Sequence, residues 1–387
     1  MNVLISGGGI AGLTLAWWLS HDGHRVVLVE RGERLRGEGY MIDFFGSGWD
    51  VAERMGLIKR LEEIHYPVST LDFVRDDGQT TTSLSYVDMR KKLFNDRHFN
   101  FMRGDLERVL FEALGDRVDV RFGSSVESVA DRPESIDVTL TDRTSGTYDL
   151  LVGADGIHSH VRHLAMGSGE EALRSLGFNT AAYVINDPGL SEENAGAFRT
   201  LTVPGRQLAI YPIRGGKLAT FFVHDAKLEP EGVVGPPEIL RAVYGGLGWI
   251  VPKLLAQIPE SSEMYFDSVS QIVLQHWSRG RVTLVGDACQ AVSLLAGQGA
   301  SMAMGGAWAL ATEIRQGGRV EEILYRYERR VKPAIEEKQR AGRRMAGWFV
   351  PASAWRIGLR DMFLRASVTP GMSWLVRGSI SGTSIVK

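Results

Sequence analysis

Three glycines near the start of the chain have the spacing of a phosphate-binding turn. Gly7, Gly9 and Gly12 follow a short apolar run and open a stretch that the pattern predicts to be helical. Gly7 allows a tight turn, Gly9 lets the backbone approach a pyrophosphate, and Gly12 lets the helix pack on the strand. Ala11 lies in the same turn, where the unpaired N–H groups of a helix N-terminus favour phosphate. These residues predict a nucleotide-binding site.

An acidic residue at the end of the second predicted strand completes this pattern. Arg25–Val29 is apolar apart from its first residue, and Glu30 follows it directly. The Glu30 carboxylate can accept hydrogen bonds from the 2′- and 3′-hydroxyl groups of a ribose. Strand, glycine turn, helix, strand and acid in this order are typical of a Rossmann-type dinucleotide-binding unit. This unit serves both NAD and FAD, so the turn alone does not decide between them.

Two later segments also end predicted strands with glycine and an acid. Asp155 lies in the sequence GADG after Tyr148–Val152, and Asp287 lies in the sequence GDA after Arg281–Val285. A glycine-rich stretch precedes the next predicted helix and consists of Gly297, Gln298, Gly299 and Ala300. No G-x-S-x-G sequence surrounds a serine, so serine-hydrolase chemistry has no support.

Taken in this order, the three motifs resemble those of the group A FAD-dependent monooxygenases, which are p-hydroxybenzoate hydroxylase-like aromatic and polyketide hydroxylases. The segments Gly39–Asp43 and Met55–Leu57 are similar to those of the short tetracycline-inactivating and antibiotic-tailoring members. The resemblance covers about residues 1–60, 97–165 and 270–315. It implies a resident FAD, transient NADPH or NADH, and oxygenation of a small aromatic or polyketide-like substrate with O2, including antibiotic biosynthesis.

The resemblance also assigns roles on the adenosine side of the cofactor. Glu30 would bind the adenosine ribose, with Arg31 near the adenine. Arg103 would contact the pyrophosphate or the ribityl chain, and the backbone of Val126 would contact adenine. Simpler interpretations stay open, because Arg31 can be a solvated surface residue and Arg103 can be a salt-bridge partner at the start of the helix predicted over 105–114.

On the flavin side, the resemblance assigns two acids and one loop. Asp155 would support the pyrophosphate and the approach of NAD(P)H, and Asp287 would hold the ribityl hydroxyls. The backbone N–H groups of Gly297, Gln298, Gly299 and Ala300 would face flavin N1 and O2. Asp287 can equally be a helix N-cap, which is compatible with cofactor binding. No residue is assigned as the catalytic acid or base, and no metal site is predicted.

The chain departs from the family around the third motif. Cys289-Gln290 replace the usual Ala-His, Ser293-Leu294-Leu295 replace a proline-containing segment, and Gly305-Gly306 replace a common Glu-Asp. Proline fixes φ, so the altered loop should be less rigid at the edge of the flavin where oxygen reacts. A flavin-dependent dehydrogenase or reductase of the same fold therefore stays an alternative. A non-redox flavoprotein, such as a cyclase or binding scaffold, is the third possibility.

Composition bounds the class of protein. The length of 387 residues suggests about two domains. A net charge of −2 argues against nucleic acid as the main partner. Because Cys289 is the single cysteine, no intrachain disulfide can form, and a reducing, cytoplasmic location is expected. No apolar run is long enough to predict a transmembrane segment. A monomer or a homodimer is expected.

The fold predicted from these patterns is α/β: a Rossmann-like FAD-binding domain, an interleaved antiparallel-sheet substrate domain and a C-terminal helical segment. The predicted FAD-binding domain comprises residues 1–70, 97–174 and 271–320. The predicted substrate domain comprises residues 71–96 and 175–270. Residues 321–387 are predicted to form helices that pack across both. Within 338–387, arginines and aromatic residues alternate, which favours packing of the apolar side on the two domains over a membrane surface or an anionic partner.

Strands of the substrate domain supply the pocket candidates. Period-2 alternation puts Gln207, Ala209 and Tyr211 on one face of a predicted strand, opposite Leu208 and Ile210. The pocket should be largely apolar with few polar anchors. The candidates, each of which can also be a core-packing residue, are Tyr40, Tyr183, Tyr211, Phe222 and His224.

Overall fold

The computed structural model describes residues 1–35, 39–167, 169–293, 297–368 and 386. Its strands are β1 (Asn2–Ser6), β2 (Arg25–Glu30), β3 (Met41–Phe45), β4 (Thr70–Val74), β5 (Thr80–Ser85), β6 (His98–Met102), β7 (Asp119–Phe122), β8 (Val126–Asp131), β9 (Ile136–Leu140), β10 (Ser145–Tyr148), β11 (Leu150–Gly153), β12 (Leu173–Asn186), β13 (Ala197–Val203), β14 (Arg206–Ile213), β15 (Lys217–Asp225), β16 (Tyr265–Ile272), β17 (Ser278–Arg279) and β18 (Val282–Leu284).

The helices alternate with these strands in the first half of the chain and dominate its end. They are α1 (Ile10–His21), α2 (Ser47–Arg54), α3 (Ile58–Ile64), α4 (Tyr86–Phe94), α5 (Arg103–Leu114), α6 (His160–Met166), α7 (Pro188–Glu193), α8 (Pro236–Tyr244), α9 (Val251–Leu255), α10 (Asp287–Gln290), α11 (Gly299–Arg315), α12 (Val320–Phe349) and α13 (Ala354–Val368). Among the described helices, none is both long and apolar enough to cross a membrane.

A six-stranded sheet carries all three sequence motifs. Its strand order is β17-β18-β11-β1-β2-β7, and the strands from β18 to β7 run parallel. Buried apolar runs such as Val3–Ile5 form its centre, because a parallel sheet is covered on both faces. The motif turns after β1, β11 and β18 therefore meet at one edge of the sheet, which is where an open α/β sheet binds its ligand. The predicted Rossmann-like domain is confirmed.

A seven-stranded sheet forms the second domain. Its order is β16-β12-β15-β14-β13-β4-β5, and all neighbours are antiparallel except β4 and β13. This one parallel pair adds the β4–β5 hairpin to the edge of the sheet. One face of the sheet packs on α7, α8 and α9 in a core that includes Leu208, Ile210 and Leu240. The opposite face turns towards β3 and β6, so the cofactor domain and this sheet enclose a common space.

The predicted division into domains stays a prediction, and the seven-stranded sheet can be compared with its limits. The seven-stranded sheet begins at Thr70 rather than at 71, resumes at Leu173 rather than at 175, and ends at Ile272 rather than at 270. Within the segment 321–387, which is predicted to be helical, the helix α12 extends over Val320–Phe349 with Pro333 inside it. Of the segment 338–387, the residues 369–385 and 387 lie outside the described residues.

Candidate functional site

Close backbone contacts fix the first glycine turn. Gly7 has a φ of +114°, and a Cβ on it would lie 2.4 Å from the carbonyl oxygen of Ala154. A Cβ on Gly12 would lie 1.9 Å from the carbonyl oxygen of Gly7. No other residue fits at either position without moving backbone. The sequence prediction that these glycines serve a tight turn and close helix packing agrees with this geometry.

The N-terminus of α1 is open towards the groove. Gly9 is its N-cap, and no side chain accepts a hydrogen bond there. The first N–H groups of the helix, including those of Ile10 and Ala11, consequently have no intrahelical acceptor. A Cβ on Gly9 would be 3.7 Å from both Arg103 Nη2 and Glu107 Oε1, so a guanidinium lies beside the turn. Unpaired amides, the positive end of a helix and an arginine together suit a diphosphate.

Arg103 both pairs with an acid and faces the groove. Its Nη2 lies 3.1 Å from Glu107 Oε1, and its side chain is 32% exposed. The carboxylate of Glu107 raises the pKa of Arg103, against the effect of burial. In this position Arg103 pairs with Glu107 and also lies beside the glycine turn, so a salt bridge and a cofactor contact do not exclude each other.

Glu30 lies at the end of β2 beneath the turn. Its Oε2 accepts a hydrogen bond from the Gly8 N–H at 2.7 Å, and its Oε1 accepts one from the Gly32 N–H at 2.8 Å. These two bonds hold the carboxylate in place, and each oxygen keeps acceptor capacity for a hydroxyl group. Arg31 is exposed next to it. Val126 is buried at the start of β8.

Asp287 reaches the same groove from the third motif. Gly286 has a φ of +64°, and a Cβ on it would lie 2.6 Å from Ala11 Cβ, so the turn after β18 touches α1. The Asp287 side chain is exposed to the groove. The surrounding protein removes part of its solvation and so raises the pKa of its carboxyl group, whereas the positive charge of Arg103 acts to lower that pKa. A carboxylate here can accept hydrogen bonds from the hydroxyls of a sugar chain.

A second open helix N-terminus lies beyond Asp287. Gln298 is the N-cap of α11, and it makes no side-chain capping bond. Gly297 has a φ of +62°, which lets the chain turn into the helix. Ser301 Oγ donates a hydrogen bond to the Phe45 carbonyl at 2.7 Å and ties α11 to β3. The N–H groups of 297–300 thus provide a place for a group that carries negative charge.

These features fit FAD along one groove. The order is an acid for ribose, a glycine turn with arginine for the diphosphate, an acid for the ribityl chain and an open helix N-terminus for the flavin. The fit rests on backbone that excludes any Cβ and on a donor set that matches each part of the cofactor. The predicted residues Gly7, Gly9, Ala11, Gly12, Glu30, Arg103, Asp287 and Gly297–Ala300 are brought to this groove.

Asp155 has a structural task within the second motif. It accepts hydrogen bonds from the Ser159 hydroxyl and from the N–H groups of His160 at 2.8 Å and Val161 at 3.0 Å. These bonds stabilise the start of α6. The buried Arg162 of that helix then donates to the Ala288 carbonyl at 3.0 Å and links the second motif to the third. A cofactor contact by Asp155 stays a prediction.

An aromatic group lines the groove on the side of the seven-stranded sheet. The ring of Tyr40 lies 5.9 Å from that of Phe221 and 5.3 Å from that of Tyr265. Burial raises the pKa of Tyr40 to about 12, although the nearby charge of Arg103 acts against it. Tyr40 is therefore a neutral phenol at physiological pH. Rings at these distances form a surface on which a planar molecule can pack.

Tyr211 lies on the same face of the sheet. Its hydroxyl oxygen accepts a hydrogen bond from the Met41 N–H, and its ring stacks on Phe198 at 5.4 Å and 9°. The side chain is buried between the sheet and β3. Of the pocket candidates, Tyr40 and Tyr211 thus lie on the groove side.

The other three candidates lie on the opposite face, which corrects their assignment to the pocket. Phe222 pairs with Leu208 and packs edge-on against Tyr244 of α8 at 4.9 Å. Tyr183 donates to the Leu254 carbonyl at 2.9 Å, and His224 pairs with Glu229 at 2.8 Å. The reason is the register of the sheet, since Phe221 rather than Phe222 pairs with Ala209.

Phe221 and Tyr265 were not predicted from the sequence. A signal for Phe221 exists, because the Gly215-Gly216 turn aligns 213 with 217 and hence Ala209 with Phe221. Tyr265 had no comparable signal, since β16 joins the sheet across a long connection.

Two buried glutamines support the altered loop after the third motif. Gln271 Nε2 donates to the Val292 carbonyl at 2.6 Å, and Gln339 Nε2 donates to the Ala291 carbonyl at 2.9 Å. Gln271 Nε2 also contacts the Gln339 carbonyl at 3.0 Å, so the helix α12 and β16 hold this stretch together. Ser293 has a φ of +131°, an uncommon conformation for a residue with a side chain. Leu294 and Leu295 lie outside the described residues.

Two departures from the family are in contact with each other. A Cβ on Gly306 would lie 2.3 Å from Gln290 Nε2. Gln290 is fixed there, because its Oε1 accepts from the Gly286 N–H at 3.2 Å and its Nε2 donates to the Tyr327 hydroxyl at 2.8 Å. The glycine at 306 therefore provides the space for the glutamine at 290. Cys289 is buried.

Comparison with known proteins shows the family of the chain. The family model described as FAD binding domain matches residues 1–341. The FAD-dependent monooxygenase asL4 of Sarocladium schorii is 30% identical and covers 98% of this chain and 96% of its own length. The crystal structure of tetracycline destructase Tet(51) is 27% identical, with a TM-score of 0.81 and 98% coverage of both chains. Klebsiella pneumoniae HpxO complexed with FAD and uric acid shares the fold, at 21% identity, a TM-score of 0.81 and coverages of 99% and 96%.

Proposed function

The chain belongs to the group A FAD-dependent monooxygenases, and we propose that it oxygenates an aromatic or polyketide-like substrate, with NADPH or NADH as the reductant. When bound, FAD would supply the redox chemistry, in which NAD(P)H and one proton provide the two electrons and two hydrogens that reduce one atom of O2 to water while the other atom enters the substrate. The observation that supports the substrate class is the aromatic surface of Tyr40, Phe221 and Tyr265 beside the groove.

The protein supplies binding, orientation and charge. The α1 amides and Arg103 would hold the diphosphate, and Asp287 would hold the ribityl hydroxyls. The N-terminus of α11 would stabilise negative charge on the reduced flavin. Tyr40 is a neutral hydrogen-bonding group there, so it can orient a substrate hydroxyl but does not remove its proton unaided. These tasks need no acid–base pair, which agrees with the absence of an obvious one in the sequence.

A cavity opens on the same face of the seven-stranded sheet, towards its edge strands, and we propose that it receives part of the substrate. It has a volume of about 540 Å³ and lies between the strands β4 and β13 and the helix α13. Its walls include the Phe73 ring, the Thr200 and Thr202 hydroxyls and the Ile357 side chain. The volume is within the range of about 300–1,000 Å³ that holds drug-sized ligands. Arg75, Asp76, Arg360 and Asp361 also line the cavity, so its walls combine apolar surface with hydroxyls and charged groups that can bind the polar substituents of a polycyclic phenol.

Arg360 holds α13 over this cavity. It donates to Thr202 Oγ1 at 3.2 Å and to Asp361 Oδ1 at 2.9 Å, and its guanidinium lies 5.5 Å from the Phe73 ring. The side chain is buried, so this contact fixes the position of the helix relative to the sheet. The size of the cavity, and hence of the substrate, would depend on α13.

The relatives point to the same substrate class. Tet(51) is a tetracycline destructase, and its 27% identity over nearly the whole chain supports a polycyclic substrate for this protein as well. We propose further that the protein acts as a monomer or homodimer in the reducing cytoplasm, without nucleic acid as a partner. The single buried thiol and the balanced charge support this assignment.

An isotope experiment tests the reaction. The purified yellow protein is supplied with NADPH or NADH and a panel of phenolic polyketides, including a tetracycline, under 18O2. We expect substrate-dependent oxidation of the nicotinamide and one 18O atom in the product. A product with a changed hydrogen count but no 18O would indicate a dehydrogenase or reductase. Conversion that persists without nicotinamide or O2 would indicate a non-redox flavoprotein.

A further inference from the structure

A cluster of polar side chains lies beside the loop 297–300 and has no assigned role. At its centre, Asp43 Oδ1 accepts hydrogen bonds from the Tyr86 hydroxyl at 2.6 Å, from Asn100 Nδ2 at 2.7 Å and from His98 Nε2 at 3.1 Å. These residues come from β3, α4 and β6. Because three donors from two elements converge on one oxygen, the position of the Asp43 side chain is strongly defined.

The second oxygen of Asp43 is directed towards the flavin loop. A Cβ on Gly297 would lie 3.8 Å from Oδ2, and among the described residues Oδ2 has no hydrogen-bond partner. The side chain is 47% exposed, because the groove opens in front of it. Burial acts to raise the pKa of Asp43, but the hydrogen bonds from His98, Tyr86 and Asn100 outweigh it and hold the pKa below its ordinary value. Asp43 is therefore an anion at neutral pH.

His98 holds Asp43 from the side of β6. Its Nε2 donates to Asp43, while its Nδ1 is buried and has no hydrogen-bond partner among the described residues. Stacking of the ring on Phe94 at 4.9 Å fixes its orientation. The cluster thus leaves the second oxygen of the Asp43 carboxylate facing the groove.

A lysine approaches the same loop from the C-terminal helix. Lys338 Nζ donates to Gln298 Oε1 at 2.7 Å. Its neighbour Gln339 binds the carbonyls of Ile272 and Ala291, which fixes this turn of α12. Partial burial lowers the pKa of Lys338, although Glu337 acts against it. The hydrogen bond to the Gln298 side chain fixes the Lys338 amine beside the loop, where its protonated form adds positive charge.

We propose that Asp43 and Lys338 are positioning residues that tune the reduction potential of the bound flavin in opposite directions. The inference rests on the proposed function, in which the loop 297–300 faces the flavin. Reduction by two electrons and one proton leaves one negative charge on the flavin. A carboxylate beside the loop disfavours that charge and an ammonium favours it, and both effects are larger in a partly desolvated groove than in water.

The test measures the midpoint potential of the FAD-loaded protein by equilibration with a reference dye. Asp43→Asn should raise the potential, and Lys338→Met should lower it. Each change should alter the ratio of reduced to oxidised flavin at least tenfold, which for two electrons is about 30 mV. Asp43→Glu and Lys338→Arg keep the charges and should stay near the wild-type value. Glu231→Gln and Lys227→Gln remove exposed charges after β15 and serve as matched controls.

Opposite signs are the distinguishing result. Loss of packing alone would not move the two variants in opposite directions, and Lys338→Met keeps the inference testable if Asp43→Asn does not fold. Unchanged potentials, or shifts of the same sign, would overturn the inference while FAD still binds. If the wild-type protein binds no FAD at all, the proposed function itself fails.

Discussion

The nucleotide groove is shaped mainly by backbone, whereas the substrate face is shaped mainly by side chains. The groove is shaped by backbone: Gly7, Gly12 and Gly286 lie where a Cβ would come within 2.6 Å of another atom. The substrate face of the seven-stranded sheet is shaped by side chains, such as Phe221 and Thr200, that project from regular strands. A backbone-built site accepts one cofactor shape, whereas a face of side chains can change without altering the sheet that carries it.

This difference explains how one fold can keep its cofactor and change its substrate. A substitution at Gly7 or Gly12 has to move main chain, so its effect should be all-or-none. A substitution on the sheet affects either binding or stability, depending on the face. The predictions below test this contrast, from the largest expected effect to the smallest.

Gly12→Ala should severely weaken the binding of FAD in the groove. Its Cβ would overlap the Gly7 carbonyl oxygen at 1.9 Å, so either the turn or α1 must shift. We expect FAD affinity to fall by about a hundredfold or more, on the order of 3 kcal/mol, as measured by flavin fluorescence titration. Gly246→Ala is the control, since a Cβ there meets no atom within 4 Å. Retention of bound FAD by Gly12→Ala would contradict the backbone-built groove.

Phe221 and Phe222 lie on opposite faces of the sheet, so substitutions at the two positions distinguish the roles of these faces. Phe222→Ala should lower the free energy of unfolding by about 3–5 kcal/mol, because its ring is fully buried against α8. Phe221→Ala should cost less stability and instead raise KM for the substrate, since this ring borders the groove. Denaturant unfolding and steady-state kinetics measure the two effects. If Phe222→Ala changed KM with stability intact, the assignment of the faces would be wrong.

The contact of Gln290 with Gly306 predicts a coupled pair of substitutions. Gly306→Ala should destabilise the protein by about 1–3 kcal/mol, because its Cβ would meet a side-chain amide that is held by hydrogen bonds at both ends. In the background of Gln290→Ala the same change should cost at least about 0.5 kcal/mol less. A double-mutant cycle of unfolding free energies measures this coupling. Strict additivity would show that the two positions are independent.

Glu30→Gln should produce the smallest of these effects. In the wild-type protein the carboxylate accepts one hydrogen bond from the Gly8 N–H and one from the Gly32 N–H. The amide keeps one acceptor oxygen, but its NH2 group would face the other N–H and lose that hydrogen bond. We expect FAD affinity to fall about tenfold, or ~1.4 kcal/mol, with the fold intact. Isothermal titration with FAD measures the change. An unchanged affinity would show that the ribose is bound elsewhere.

The groove could be predicted from the sequence because its signals are local. Gly7, Gly9 and Gly12 act within one turn, and the ends of parallel strands meet at one edge of the sheet whatever the rest of the chain does. The face of β15 needed one more step, the register across Gly215-Gly216. Without that register, the sequence predicts Phe222 as a pocket residue, whereas the structure has its neighbour Phe221 on the groove side.

Contacts between distant segments could not be predicted. Proline was expected to be needed for a firm loop after the third motif, and the sequence 291–295 has none. The structure supplies hydrogen bonds from Gln271 and Gln339 to the carbonyls of Val292 and Ala291 instead. No periodicity or spacing links residue 271 to residue 339, since they meet only when β16 and α12 pack together.

The hydrogen bonds from Gln339 also have a consequence for the order of events during synthesis. A nascent chain that has emerged as far as Arg315 contains every residue of the nucleotide groove, but it lacks the helix that fixes Ala291. Domains tend to fold as they leave the ribosome, so the amino-terminal sheet can form early. The stretch around Ala291 reaches its finished setting only after Gln339 and the rest of α12 have followed.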